Sequence, residues 1–342
     1  MKFLLEWTST SSMANTRSGH TSTALANGVI LITGGETDLN QQLDSAELYD
    51  PMTGSWNLTG SMGISRVWHT ASLLPDGRVL VTGGYNANSR CLNSCELYDP
   101  LTGTWTTTNN MNDAREWHTA SVLSDGKVLV AGGSSCSGYL NTAELYDPTT
   151  GAWTSAGQMR DIRYRHIASI LNNETVLVIG GDSIAGTTNS AELYNSLNNT
   201  WTTTGNMTAE RRDHTVSVLT NGKVLVAAGY NLRTGYLRSA ELYDPSTGIW
   251  SNTGVMNDTR YQHAAVTLNN GKVLVFGGNG GNGHLSSAEI FDMSNEIWTN
   301  TDNMNYERYR HAASILADGK VLVTGGQNTN GHLNSAELYD PS

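Results

Sequence analysis

The sequence predicts an all-β protein assembled from seven copies of one unit of 48 or 49 residues. Three residue types mark that interval, each in seven copies, which is far beyond chance. They are Trp7, Trp56, Trp105, Trp153, Trp201, Trp250 and Trp298; Arg17, Arg66, Arg115, Arg163, Arg211, Arg260 and Arg308; and Glu47, Glu96, Glu144, Glu192, Glu241, Glu289 and Glu337. No long stretch shows helical periodicity. Val, Thr, Tyr and Trp instead alternate with Gly, Asn and Asp, as in short strands and tight turns.

Each unit divides into four predicted strands, taken here from the second copy. Strand A is WHTASLL, strand B is RVLVTGG, strand C is SCELYD and strand D is GTWTTT. Asp76-Gly77 closes the A–B hairpin with residues that tolerate a positive φ. The DPLTGT segment supplies Pro and Gly at the turn from C into D. A four-stranded sheet repeated at this interval is typical of a propeller blade.

The two ends of the chain predict how the ring closes. The chain begins at a predicted strand D, around Trp7, and finishes at a predicted strand C, SAELYDPS. We therefore expect residues 1–12 to complete the last blade, which removes the open sheet edges. The prediction is a closed seven-bladed β-propeller of four-stranded antiparallel blades, forming one domain over residues 1–342. The predicted blades span about 17–60, 66–109, 115–157, 163–205, 211–254, 260–302, and 308–342 together with 1–12.

A motif inside the unit resembles the kelch repeat. In the second copy it comprises the Gly83-Gly84 doublet after strand B, then Tyr98, then Trp105 after six intervening residues. The resemblance covers the whole chain, includes the repeats in the central domain of galactose oxidase, and implies the propeller fold. The departures are Ala228 in one doublet, Phe291 in place of one tyrosine, and Asn199 and Glu296 in place of a turn glycine.

The charge of the chain excludes some classes of partner. The formal net charge is −11, which argues against a general binder of nucleic acid or of anionic membranes, because both depend on a positive field. No apolar run approaches the roughly 18 residues of a membrane-spanning helix. We expect a monomer that binds no nucleic acid, no membrane and no cofactor. The sequence does not indicate a cellular compartment.

The three cysteines form neither a disulfide framework nor a metal-site spacing. Cys95 stands where most repeats have alanine, so we expect it to pack as a small residue. Cys91 and Cys136 lie in loops of adjacent repeats, where they could pair, but we expect them to be unpaired.

Antiparallel strand order places the D–A and B–C loops on one face of the ring, called here the top face. Chain length varies only in the B–C loop, and sequence varies at the two positions between each repeated arginine and the histidine three residues after it. Loops held by a scaffold are where recognition usually lies, and aromatic residues and arginine are favoured contacts. The predicted ligand-binding residues are Trp68, Trp117, Tyr164, Arg165, Arg212, Tyr261, Tyr309 and Arg310. An equally open alternative is that the rings only plug the inner rim between blades.

Fixed spacing gives the repeated arginines and glutamates a structural role. We predict a buried Arg–Glu pair in every blade. The kelch resemblance implies an alternative, because in some peptide-binding kelch domains an arginine at this position contacts carboxylates of the bound peptide. Seven equivalent histidines could suggest a metal ring, but propeller symmetry holds them apart, and metal ligands lie within about 2.0–2.2 Å of one ion. We predict no metal site, and packed histidines bonded to a neighbouring loop.

The sequence predicts a non-enzymatic binding module with no catalytic residues, whose top face takes a protein, peptide or glycan partner. Galactose oxidase and a sialic-acid mutarotase use kelch propellers, so the resemblance also allows a carbohydrate-active enzyme, oxidase-like or mutarotase-like. An oxidase would need two Tyr and two His ligands drawn from extended loops, which this chain lacks. A mutarotase needs only groups that move a proton. The third alternative is a structural or engineered ring without a dedicated ligand.

Overall fold

The computed structural model describes residues 7–172 and 174–341. They form seven four-stranded antiparallel sheets, arranged as blades with the A strands of neighbouring blades in contact around a central axis. The prediction of an all-β, seven-bladed propeller is confirmed. Among the residues described we find no helix with the length and apolar character that a membrane crossing requires.

The strands run from A at the axis to D at the outside of each blade. Strands A are Thr21–Ala24, Thr70–Leu73, Thr119–Val122, Ile167–Ile170, Thr215–Val218, Ala264–Thr267 and Ala312–Ile315. Strands B are Ile30–Thr33, Val79–Thr82, Val128–Ala131, Thr175–Ile179, Val224–Ala227, Val273–Phe276 and Val321–Thr324. Strands C are Ala46–Asp50, Cys95–Asp99, Thr142–Asp147, Ala191–Asn195, Ala240–Asp244, Ala288–Asp292 and Ala336–Tyr339. Strands D are Ser55–Leu58, Thr104–Thr108, Ala152–Gln158, Thr200–Thr203, Ile249–Asn252, Ile297–Thr301 and, for blade 7, Trp7–Thr10.

The B–C loops of blades 2 to 7 carry short two-stranded ribbons that the sequence did not predict. They pair Tyr85–Asn86 with Arg90–Cys91, Ser134–Ser135 with Gly138–Tyr139, Asp182–Ser183 with Gly186–Thr187, Tyr230–Asn231 with Gly235–Tyr236, Asn279–Gly280 with Gly283–His284, and Gln327–Asn328 with Gly331–His332. The ribbons supply backbone pairing within the loops in which chain length varies.

The hydrophobic core lies between blades rather than within them. Strand B is buried along its whole length, as in Val79–Thr82, because each face of the sheet is covered by a neighbouring blade. One cluster joins Leu80 of blade 2 to Val128 and Val130 of blade 3. A blade therefore cannot bury its faces alone, and stability depends on a complete ring.

The N-terminal strand closes that ring, as predicted. Trp7–Thr10 pairs antiparallel with Ala336–Tyr339, and Trp7 lies opposite Tyr339. The indole N–H of Trp7 donates to the carbonyl of Asp302 at 2.8 Å, as Trp105 does to Gly60 at 2.7 Å. Residues 1–6 of the predicted closing segment lie outside the described residues.

Each repeated arginine is fully buried and paired with the glutamate of its own blade at 2.6–3.0 Å. In blade 2, the Nη1 of Arg66 also donates to the carbonyls of Gly83 and Ser94, at 2.7 and 3.1 Å. Glu96 accepts from the backbone N–H of Gly63 at 2.6 Å. One ion pair thus fixes the D–A loop, the glycine doublet and the end of the B–C loop together.

The arginine backbone also joins neighbouring blades. The carbonyl of Arg66 accepts from the N–H of Gly35 in the preceding blade at 2.9 Å. Gly34 and Gly35 have φ values of 62° and 96°, and a Cβ on Gly34 would lie 2.5 Å from that carbonyl oxygen. This close approach and the positive φ favour glycine at both positions of the doublet. Ala228, the one non-glycine in a doublet, adopts the same left-handed conformation at φ 56°.

Five of the seven repeated histidines bond to strands of the preceding blade, not to a loop as predicted. The Nε2 of His69 lies 3.2 and 3.3 Å from the hydroxyls of Thr21 and Thr33. Burial lowers the pKa of His69 to about 3, so its imidazole is neutral. His214 and His311 have no such partner, because the blade before each of them lacks threonine at both positions: Ile167 and Ile179 before His214, and Ala264 and Phe276 before His311.

Ring closure can be tested by deleting residues 1–12. The deletion leaves Ala336–Tyr339 as an open edge, so we expect association of monomers or a melting temperature lower by about 5 °C or more. Light scattering and calorimetry measure these outcomes, and a synthetic peptide of residues 1–12 should restore the melting temperature. A truncated chain that stays monomeric with unchanged melting would contradict closure by this strand.

The buried ion pair can be tested with Glu96→Gln, which keeps the shape of the side chain but strands the guanidinium of Arg66. We expect the free energy of unfolding to fall by about 3–5 kcal/mol, measured by chemical denaturation. The matched control is Asp125→Asn, at an exposed pair with Lys127 at 2.9 Å, which should cost less than about 1 kcal/mol. Equal losses in the two variants would rule out a special role for the buried pair.

Candidate functional site

The two variable positions between each repeated arginine and histidine have different backbone roles. The first position forms a β-bridge with the residue after the glycine doublet, as Val67 does with Tyr85. This bridge attaches the D–A loop to the B–C loop of the same blade. The first-position residues are Ser18, Val67, Glu116, Tyr164, Arg212, Tyr261 and Tyr309.

The second position builds a closed ring of backbone hydrogen bonds at the top of the axis. Each of these residues is left-handed, with φ between 48° and 63°. Each N–H donates to the carbonyl of the equivalent residue in the preceding blade at 3.0–3.3 Å, and Gly19 closes the circle by donating to Arg310. The members of this mouth ring are Gly19, Trp68, Trp117, Arg165, Asp213, Gln262 and Arg310. The backbone is thus the same in all seven blades, while the side chains are not.

An aromatic and cationic stack covers about half of the mouth ring. The rings of Trp68 and Trp117 lie 4.5 Å apart. The guanidinium of Arg165 lies 4.3 Å from the centre of Trp117, and that of Arg310 lies 5.8 Å from the centre of Trp68. Gly19 makes room for the stack, because a Cβ there would lie 3.2 Å from the indole of Trp68.

Further aromatic pairs extend outward from the mouth ring onto the B–C loops. Tyr164 stacks on Tyr139 with ring centres 4.2 Å apart. Tyr261 lies 5.6 Å from Tyr236 and also contacts Tyr230. On the next blade Tyr309 stacks on His284 at 4.6 Å. Each first-position tyrosine therefore leans on the B–C loop of the preceding blade.

Three arginines at the two variable positions of the top face lie beside carboxylates. Arg212 is hydrogen-bonded to the buried Asp182. Arg165 Nη1 lies 3.9 Å from Asp213 Oδ2, and Arg310 Nη1 lies 3.6 Å from Glu36 Oε1. Burial raises the pKa of Asp213, and the neighbouring arginines Arg165, Arg212 and Arg310 oppose that rise. The mouth is thus locally balanced in charge.

Glu116 is an exception to this pairing. It is only 7% exposed, and its Oε2 has no hydrogen-bond partner. Burial raises its pKa to about 7, although the charges of Arg165 and Arg90 act in the opposite direction. A carboxyl group that titrates near neutrality stands at the first position of blade 3.

Cys91 and Cys136 form a disulfide with Cα atoms 5.6 Å apart, so the expectation that they are unpaired is wrong. Adjacent blades bring equivalent positions of their B–C loops side by side. The same 45-residue separation links Thr187 to Leu232 through a hydrogen bond of 3.1 Å. The disulfide therefore joins the loops of blades 2 and 3. Cys95 is buried in the core and free.

The eight predicted ligand residues lie on the top face in two tiers. Trp68, Trp117, Arg165 and Arg310 belong to the mouth ring, and Tyr164, Arg212, Tyr261 and Tyr309 belong to the first-position tier. Sequence reasoning passed over Asp213, Gln262, Glu116, Glu36 and Asp182. Gly19 could have drawn attention to the second position, because a glycine there indicates a left-handed backbone conformation.

The titration of Glu116 predicts a pH-dependent stability. Because the folded-state pKa is raised, stability is lost as pH rises from the ordinary value of 4.5 to about 7. Glu116→Gln removes this loss, so we expect its melting temperature to exceed that of the parent by about 1–3 °C at pH 8 and to match it near pH 4. Calorimetry across this range measures the difference. A constant difference at all pH values would contradict the assignment.

Comparisons with known proteins agree with this architecture. The chain matches the family model of the KLHDC2/KLHL20/DRC7 kelch-repeats domain over residues 19–203 and that of the attractin/LZTR1 β-propeller over residues 137–342. No curated protein sequence matches it. A novel fungal alcohol oxidase of the AA5 family, solved in complex with copper, is similar in structure with a TM-score of 0.82 and 20% identity, over 99% of this chain and 76% of the oxidase.

The protein YjhT has a TM-score of 0.66 and 16% identity, over 85% of this chain and 99% of YjhT. At these identities the similarity to solved structures establishes the fold alone. The two family models each cover more than half of the chain and overlap in its middle. The repeated doublet, tyrosine and tryptophan, the four-stranded blades and these matches together lead to one conclusion: the chain belongs to the kelch-repeat β-propeller family.

Proposed function

We propose that the chain is a non-enzymatic binding module that takes a protein, peptide or glycan partner at the mouth ring and the aromatic tier around it. Kelch-repeat propellers are in general interaction modules. The observation that carries the proposal is the mouth ring itself: one repeated backbone presents Trp, Arg, Asp and Gln side chains in an irregular order, with Gly19 leaving one place without a side chain. Packing between seven equivalent blades does not require different side chains at equivalent positions.

Exposed aromatic surface supports a contact role. Tyr139 is 41% and Tyr236 is 37% exposed, and both stand beside half-buried tyrosines of the first-position tier. Tyrosine supplies a large, rigid contact area at a low entropic cost. The stack of Trp68 on Trp117 also fills the inner rim, so these two rings serve packing as well as contact.

A sugar-modifying enzyme is the second candidate, and Glu116 is the observation that favours it. A general acid or base works best with a pKa near the operating pH, and the pKa of Glu116 is raised to about 7. A similar propeller belongs to an alcohol oxidase described in complex with copper. Turnover of a sugar that disappears in Glu116→Gln, while the fold and sugar binding survive, would overturn the non-enzymatic proposal.

The binding proposal is tested by screening the parent chain against displayed peptides, cell-extract proteins and a glycan array. For any partner found, Trp68→Ala, Trp117→Ala and Tyr164→Ala should each weaken binding at least tenfold, because aromatic anchors carry much of an interface's binding energy. The melting temperature should change by less than about 3 °C, since these rings lie at a rim rather than in the blade cores.

His69→Ala is the contrasting control. Its Nε2 lies 3.2 and 3.3 Å from the hydroxyls of Thr21 and Thr33 in the preceding blade, so its loss should lower the melting temperature by more than the rim changes do and leave partner affinity unchanged. A purely structural ring would be favoured if the parent chain captured no ligand in the peptide, protein and glycan screens while the Trp68, Trp117 and Tyr164 variants lowered the melting temperature.

A further inference from the structure

The mouth ring contains a gap between opposite charges. Asp213 Oδ2 lies 3.9 Å from Arg165 Nη1 and also 3.9 Å from Arg212 Nε. Both distances exceed the range of a direct hydrogen bond. The three groups come from two adjacent blades, and both guanidinium groups face the same carboxylate oxygen.

The polar atoms around this gap are buried and unpaired. Asp213 Oδ2, Arg212 Nε and Arg165 Nε make no hydrogen bond. Buried polar groups in folded proteins are normally bonded to protein or to an ordered partner. A group in the gap must therefore donate a hydrogen bond to the carboxylate of Asp213 and accept hydrogen bonds from the guanidinium N–H groups.

The local charges decide which group fits. Arg212 already has Asp182 as a counter-ion, and Arg165 has Asp213. An anion in the gap would face Asp213 without neutralising an unpaired arginine, and a cation would face two guanidinium groups. A hydroxyl donates one hydrogen bond to the carboxylate and accepts from the guanidinium N–H groups, so it fits without adding charge.

The surroundings suit a small polyhydroxylated ring. The cavity beside Asp213 and Arg165 has a volume of about 230 Å³ and is lined by Trp117, Arg165, Asp213 and Gln262, together with Ile167 and the histidines below them. Arg212 reaches the carboxylate of Asp213 from outside this lining. Pockets for drug-sized ligands are larger, at about 300–1,000 Å³. Trp117 supplies an apolar wall, and the amide of Gln262 supplies a further polar group on the far side of Asp213.

We propose that the mouth ring binds the end unit of a neutral saccharide, with one hydroxyl inserted between Asp213 and the guanidinium group of Arg165, while Arg212 contacts the carboxylate of Asp213 from outside the cavity. This inference rests on the proposed binding function and narrows its ligand to one chemical class. The guanidinium group of Arg165 is positioned by its contact with the ring of Trp117 at 4.3 Å. That of Arg212 is positioned by its ion pair with the buried Asp182.

The test uses the full chain and the methyl glycosides of glucose, galactose, mannose and N-acetylglucosamine. Saturation-transfer NMR detects binding at millimolar concentration, and titration gives the Kd. Asp213→Asn keeps the size of the side chain but removes the carboxylate, so we expect affinity for the bound glycoside to fall about tenfold or more, since a hydrogen bond to a charged group is lost. Arg165→Gln should weaken binding to a similar extent.

The matched control is Asp125→Asn, an exposed carboxylate in a bottom-face turn, which should leave the Kd unchanged. Sodium acetate and methyl phosphate at equal ionic strength provide the anion arm. Absence of glycoside binding to the parent chain overturns the inference, since water alone then fills the gap. Binding that Asp213→Asn leaves intact, or a preference for acetate or methyl phosphate, also overturns it. A peptide or protein partner lost in Trp68→Ala would still support the proposed function in each of these cases.

Discussion

A buried arginine and a buried glutamate meet once in every blade, and their geometry governs most of the chain. Isolating a charge from water costs several kcal/mol unless a partner and hydrogen bonds compensate for it. Arg66 meets that condition only when Glu96, the carbonyl of Gly83 and the carbonyl of Ser94 all lie within reach. Insertions before or after the arginine would move one of them away. Chain length therefore varies only in the B–C loop, which begins and ends at these anchors but is free between them.

The same anchoring explains how the top of the axis can carry unlike side chains. A left-handed conformation at a non-glycine residue is disfavoured, by roughly 1–3 kcal/mol. Trp, Arg, Asp and Gln nevertheless all adopt it in the mouth ring, with φ between 48° and 63°. The seven ring hydrogen bonds, and the arginine anchored two residues earlier in each blade, impose that backbone whatever the side chain is. Side-chain identity at the mouth is thus largely uncoupled from the fold and is free to serve recognition.

The scaffold could be predicted from the sequence because its residues repeat in every blade. Trp105 and Tyr98 recur with their neighbours, and Trp7 at the start of the chain is interpretable only as the missing strand of a seventh blade. The mouth was harder to predict. Asp213 and Gln262 occupy a position whose importance comes from a left-handed backbone, and a single glycine indicates that conformation in the sequence. The Cys91–Cys136 disulfide depends on which loop positions adjacent blades bring together, and that is set by the curvature of the ring.

The charge arrangement at the mouth constrains the kind of ligand that the proposed site can select. The whole chain carries a formal charge of −11, yet each arginine of the mouth has a nearby acid: Asp213 for Arg165, Asp182 for Arg212 and Glu36 for Arg310. A site built to attract an anion over a distance would leave its arginines uncompensated, and its affinity would fall with added salt. Paired charges at a rigid mouth instead act at short range, through the directions of their free N–H groups and lone pairs. In the proposed binding mode, selection depends on the fit of donors and acceptors around Asp213, while the Trp68–Trp117 stack forms the wall against which a ligand must fit.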